Sequence, residues 1–206
     1  MHLTILAASG ATGLALTRQA LERGHTVTAI ARTPARIVVP DSPQLTRVAA
    51  DVHDIDTIAE ALRGSESVLS GLGWVRGEKQ SGVLSAGARA VVAARPDRII
   101  WLGAYGTGPS AQAAGLPIRF ALKGLGTELA DKVASDGIVL EAGGTVFHAG
   151  PLSKNRLSPA RRTVGLDEAP KRFFPARVSR DTVAAAMLDE VENPRYPGRI
   201  ALPLER

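Results

Sequence analysis

The residues best suited to chemistry come first in the chain. Leu3 to Leu6 is apolar and runs directly into Ala7-Ala8-Ser9-Gly10-Ala11-Thr12-Gly13. Small residues in such a turn let the backbone approach a pyrophosphate, and the free N–H groups of the helix that follows then face the anion. Leu14 to Arg23 reads as that helix, Gly24 ends it, and His25 to Ala31 reads as a second strand. A strand, a phosphate-cradling turn, a helix and a strand predict dinucleotide binding. Ala7, Gly10 and Gly13 take the three positions of a G-x-x-G-x-x-G spacing. Alanine therefore stands at the first glycine position, where its methyl group crowds a tight turn. Ala7, Ser9, Gly10, Ala11, Thr12 and Gly13 are the first cofactor-binding candidates.

The end of the second strand bears on cofactor choice. An acid there accepts hydrogen bonds from a ribose 2′-hydroxyl, whereas arginine suits a 2′-phosphate. The sequence reads Ile30-Ala31-Arg32-Thr33 with no acid, and Arg36 follows four residues on. A guanidinium pairs bidentately with phosphate. Arg32 and Arg36 therefore predict NADP(H) in preference to NAD(H); the competing reading makes Arg32 an ordinary surface residue after a strand.

Ligands of open α/β sheets lie beyond the carboxyl ends of the strands. Tyr105 and His148 fall at or near two such ends, which makes them candidate proton donors or substrate contacts, with simple packing as the alternative. Metal and thiolate chemistry find little support. There is no cysteine, and His2, His25, His53 and His148 show no ligand spacing.

Strands and helices alternate along the 206 residues, which predicts a single α/β domain, a doubly wound parallel sheet of Rossmann type. Further strands are expected at Leu45 to Ala49, Ser67 to Leu72, Arg98 to Leu102, Thr145 to His148 and Arg199 to Leu202. Helical spacing joins Ile55, Ile58, Ala59 and Leu62, then Val83, Gly87, Ala90, Val91 and Ala94. A further helix is expected over about Thr127 to Glu141. Val183, Ala184, Met187, Leu188 and Val191 form a last amphipathic helix, with Ser179 as its N-cap. Tyr105 to Gly126 is rich in Gly and Pro and reads as a mobile connection. Pro151 to Ala176 reads as irregular, basic and site-capping. No apolar window spans a membrane. The N-terminus reads as a strand without a preceding basic region, which predicts no signal peptide and a cytoplasmic location.

The net charge of +5 is uneven. Lys154 to Arg180 holds eight basic residues against Asp167 and Glu168, so the rest of the chain sums to about −1. One reading is a solvated surface; the other is a mouth attracting an anionic small-molecule substrate. Nucleic acid is a weaker partner, since the segment has no recognisable reading helix.

The chain resembles the atypical short-chain dehydrogenase/reductases of the NmrA-like, NAD(P)H-binding kind, and in layout the NADPH-dependent flavin and biliverdin reductases. The resemblance rests on the Ala7 to Gly13 turn, Ala20-Leu21-Glu22-Arg23-Gly24-His25-Thr26-Val27, Ala31-Arg32 and Ala50-Asp51-Val52. It continues through Ser85-Ala86-Gly87-Ala88-Arg89, Arg98 to Gly103, Ala149-Gly150-Pro151-Leu152 and Val178 to Ala184. It implies that Asp51 and Val52 flank an adenine, that Leu72 and Gly73 pass under a ribose, and that Gly150 lies near the nicotinamide. Gly103 joins the cofactor-binding candidates at the end of the fifth strand. Lys132 falls where the family's catalytic lysine is expected, but Glu128 occupies the tyrosine position four residues earlier. The family's serine pair falls at Gly103 and Ala104, so no Tyr-x-x-x-Lys relay is expected. An NADP(H)-dependent reductase that works without the relay is the leading implication. A non-catalytic NADP(H)-sensing regulator is the alternative, and a nucleotide-sugar epimerase would need the absent motif.

Overall fold

A computed structural model describes residues 1–73, 82–113, 126–170 and 176–205. Ten strands and five helices alternate through these segments. The first half runs β1 (His2–Leu6), α1 (Ala11–Glu22), β2 (Thr26–Ala31), β3 (Leu45–Ala49), α2 (Ile55–Leu62), β4 (Ser67–Ser70), α3 (Val83–Ala94) and β5 (Arg98–Ala104). The second runs α4 (Gly126–Glu141), β6 (Thr145–Ala149), β7 (Leu152–Ser153), β8 (Arg162–Gly165), β9 (Val178–Ser179), α5 (Arg180–Glu192) and β10 (Ile200–Leu204). The main sheet has the order β3-β2-β1-β4-β5-β6-β10-β8. All its pairings are parallel except β10 with β8. The order reverses between β1 and β4, which opens the crevice in which doubly wound sheets hold ligands.

Alternating strand residues feed two apolar layers. Leu3, Ile5, Val27, Ala29 and Phe147 meet α1 and α5 on one face. Leu6, Ile30, Val68, Trp101 and Val146 meet α2, α3 and α4 on the other. Both faces are covered, as all-parallel strands require. The α1–α5 seam is also joined by ion pairs: Arg18 with Asp181, and Arg23 with Asp189 and Glu192. His25 lies 2.8 Å from Glu192, and the strand begins one residue later, at Thr26. Ser179 caps α5, its hydroxyl accepting from the Thr182 N–H.

Several boundaries differ from the sequence expectation for physical reasons. The sheet does not stop before Pro203, because β6 pairs with β10 only through Ile200 and Ala201. At Pro203 only β8 flanks the strand, and proline tolerates such an edge. The stretch from Pro151 to Ala176 is not wholly irregular: β7 pairs with β9, and β8 extends the main sheet. Within the supposed mobile connection, residues 105–113 form a tight turn around a 3-10 helix, Gly108–Ala111. Residues 114–125 of that connection, and Lys171 to Pro175 of the basic stretch, lie outside the described residues. Strand β4 ends at Ser70, two residues short of the expected Leu72.

Candidate functional site

The seven parallel strands end along one side of the sheet, which carries every residue after β1 to β6 singled out above to a common edge. The Gly10–Gly13 turn opens that edge. The first turn of α1 has no side-chain cap and no acidic residue, so its N–H groups are left for an anion. The Gly10 N–H donates to the Ala7 carbonyl at 2.9 Å. A Cβ on Gly13 would stand 2.7 Å from Ala8 Cα and 2.8 Å from the Ala7 carbonyl carbon. Helix α1 can therefore reach β1 only because residue 13 lacks a side chain. Ala7 adopts φ 55°, the left-handed region that costs an L-residue roughly 1–2 kcal/mol. The substitution at the first glycine position is accommodated by backbone strain.

Arg32 leaves β2 exposed to solvent, and Arg36 ends an exposed 3-10 turn, Pro34–Arg36. The segment beyond is fixed by Arg47 of β3. Its guanidinium donates to the carbonyls of Ile37 and Val39 and to the Asp41 carboxylate. Asp51 accepts from the His53 N–H at 3.0 Å, while the cap of α2 is Asp54, which accepts from Thr57. Val52 and Leu72 pack inward over Gly87, where a Cβ would lie 2.6 Å from Leu72 Cδ1 and 3.4 Å from Val52 Cγ1. Gly73 is exposed, with nothing within 4 Å of where its Cβ would stand.

Tyr105, His148 and Gly150 come together in an open cleft also lined by Pro170, Ala176 and Leu202 to Leu204 at the end of β10. The Tyr105 hydroxyl donates to the Ala113 carbonyl at 2.9 Å, and burial pushes its pKa up. His148 is held at both ring nitrogens: Nδ1 lies 2.6 Å from Ser110 Oγ and Nε2 lies 3.2 Å from Asp136 Oδ2. Gly103 is the register partner of His148. A Cβ there would stand 2.5 Å from His148 Cδ2 and 2.9 Å from Val146 Cγ1. Gly103 thus makes room for the imidazole under the cleft. The basic stretch reaches the cleft through Pro170 and Ala176. Arg161 turns to Asp189 of α5 at 3.0 Å, and Arg162 is exposed at the start of β8; neither lines the cleft.

Lys132 does not join Tyr105. Its ammonium is buried and donates to the Leu102 carbonyl at 3.0 Å. Its neighbour Asp131 accepts from the Leu84 and Ser85 N–H groups, a tertiary cap for α3 whose own N-cap is Gly82. Burial pulls Lys132 below the ordinary lysine value of 10.5, against the opposing pull of Asp136 and then Asp131. Between that lowered value and 10.5 the unfolded chain binds more protons than the folded one, so stability from this group rises with pH. Denaturant titrations of Lys132→Met and wild type should therefore converge on different slopes above neutrality, the variant lacking this alkaline gain; parallel curves would refute it. Asp131, Ser110 and Asp136 were missed in the sequence. The one signal was polar residues on the face of α4 that also buries Ser135 and Val139. Among the described residues no group of three acids or histidines could hold a metal ion, and no helix is long and apolar enough to cross a membrane.

The pattern of the NAD(P)H-binding family matches residues 7–194. No curated protein matches the sequence. Solved structures of similar fold include an oxidoreductase from Lactococcus lactis, 18% identical with TM-score 0.82, covering 100% of this chain and 91% of that one. A short-chain dehydrogenase/reductase from Veillonella parvula in complex with NADP is 17% identical with TM-score 0.81, covering 99% and 94%. An anaerobillin reductase from Escherichia coli O157:H7 is 16% identical with TM-score 0.78, covering 100% and 97%.

Proposed function

Since the chain belongs to the NAD(P)H-binding family, we propose that it is an NADP(H)-dependent oxidoreductase acting on a small molecule in the Tyr105–His148 cleft. The observation that carries the reading is the uncapped N-terminus of α1, brought against β1 at a Gly13 that has no room for a side chain. Gly10 to Gly13, with Ala7, Ser9, Ala11 and Thr12, hold the pyrophosphate through backbone N–H groups. Arg32 and Arg36 take the 2′-phosphate, Asp51 and Val52 flank the adenine, Leu72 and Gly73 pass the ribose, and Gly150 lies beside the nicotinamide. The bound cofactor supplies the hydride. The protein orients the acceptor and keeps water from the reacting atoms. Gly103 serves indirectly, through the histidine it admits. The reading treats residues 1–206 as one domain in a cytoplasmic protein, with 151–180 covering the substrate. A relative of like fold holds NADP, and another is a reductase.

Equilibrium titration should show NADPH binding several-fold tighter than NADH. Arg32→Ala should narrow the gap, because a phosphate loses a charge-assisted partner while a hydroxyl loses little. Equal affinities, or tighter NADH, would refute the preference. A non-catalytic NADP(H) sensor is the second reading, favoured by the inward turn of Lys132 and the lack of a hydroxyl at Gly103 and Ala104. Oxidation of NADPH by flavins, quinones or aldehydes separates the two.

A further inference from the structure

His148 at the cleft wall and its partners Asp136 and Ser110 are nearly or fully buried, and their hydrogen bonds have an unusual property. Ser110 Oγ accepts from the Gly106 N–H at 2.9 Å and has two partners for its own proton: the Thr107 carbonyl at 3.0 Å and His148 Nδ1 at 2.6 Å. With the imidazole neutral, Nε2–H donates to Asp136 and the serine hydroxyl donates to Nδ1. With the imidazole charged, Nδ1–H donates to Ser110 and the hydroxyl turns to Thr107. Both protonation states are satisfied by rotating one hydroxyl, with no heavy atom displaced. A buried polar group normally favours one state strongly, because the other strands a donor or an acceptor.

We propose that His148 is a switchable cation in the cleft wall, with Asp136 and Ser110 as positioning residues. Its imidazolium form favours the anion left on an acceptor after hydride addition. This rests on the reductase reading above. A bound reduced dinucleotide would supply the hydride, a hydrogen with its electron pair, for the new bond on the acceptor, and would itself be oxidised. The electron pair displaced onto an acceptor oxygen or nitrogen gives an anion, later protonated from water. His148 keeps its own proton throughout and acts by charge, as preorganised groups do where charge develops. Asp136 is the carboxylate that faces the ring, 3.2 Å from Nε2. Asp136 also interacts with the buried Lys132 ammonium of the same helix, as does Asp131, and Tyr105 lines the cleft with His148.

Imidazole nitrogen NMR on the full chain reads the switch directly, with His148→Gln identifying the signal. The expected result is a His148 signal that passes between its two protonation states as pH is varied, with a measurable midpoint. Asp136→Asn should lower it by about one unit or more, the shift that loss of a neighbouring opposite charge produces. With NADPH and either menadione or flavin mononucleotide as probes, turnover should fall as pH rises through the midpoint. In Asp136→Asn that fall should move to lower pH by the same amount, giving about two- to fivefold less turnover between the two midpoints and about tenfold less above both, while NADPH affinity holds. Ser110→Ala, which removes the rotating hydroxyl, should also move the midpoint. A His148 signal that does not titrate, or a midpoint unmoved in both variants, would overturn the switch. A midpoint that moves without the turnover profile would overturn its part in the reaction. Wild-type protein that oxidises NADPH with neither probe would count against the reductase reading, while the NMR midpoint still decides whether His148 switches.

Discussion

Gly13→Ala should lose tight dinucleotide binding and destabilise the fold by about 2–3 kcal/mol, the upper part of the usual cost of overpacking. The added methyl group would meet backbone on every near side, 2.7 Å from Ala8 Cα and 2.8 Å from the Ala7 carbonyl carbon. Backbone cannot rotate away as the tip of a flexible side chain can. Relief requires α1 to move off β1, and that movement withdraws the N–H groups meant for the pyrophosphate. Stability and affinity should therefore fall together. Gly73→Ala is the control, since nothing lies within 4 Å of its Cβ position. Its stability should stay within about 0.5 kcal/mol of wild type, as for most surface changes. Denaturant unfolding of both variants and NADPH titration of Gly13→Ala provide the check, Gly73→Ala being a control for stability alone. A Gly13→Ala protein of unchanged stability would show that the close approach of α1 to β1 is not as described.

Gly103→Ser should destabilise the protein by about 1–3 kcal/mol and reduce turnover, even though it puts back a hydroxyl that the family's pattern carries at this position. The new Cβ would fall 2.5 Å from His148 Cδ2 and 2.9 Å from Val146 Cγ1. The imidazole would be pushed from Ser110 and Asp136, leaving buried polar atoms without partners, a cost on the order of 1–3 kcal/mol. A double-mutant cycle with His148→Ala isolates the clash. Combined with the truncated histidine, Gly103→Ser should cost less than it does alone, with a coupling of about 1–2 kcal/mol. Additive effects would mean that serine is rejected for some other reason.

The sequence alone determined the parallel sheet, the position of its small-residue turn and the edge at which the strands end. These follow from local rules: strand runs, helical spacing, small residues where a helix meets a strand. Because parallel strands share a direction, naming a strand's end already places its loop at the common edge. The Ser179 cap and the apolar face of α5 were legible for the same reason. What only the tertiary structure decided is how polar groups distant in the chain meet in the interior. Asp136 and Ser110 reach His148 across 12 and 38 residues, and Asp131 caps a helix 46 residues away. Lys132, placed among the catalytic candidates by the family resemblance, turns to the Leu102 carbonyl. Arg161, read as part of a mouth for anions, is turned to Asp189. Gly103 leaves its side-chain space to the imidazole of the neighbouring strand. Local periodicity records which face of an element is buried, but a hydrogen bond or ion pair depends on the approach of two elements. That approach is set by the packing of the whole sheet and its helices.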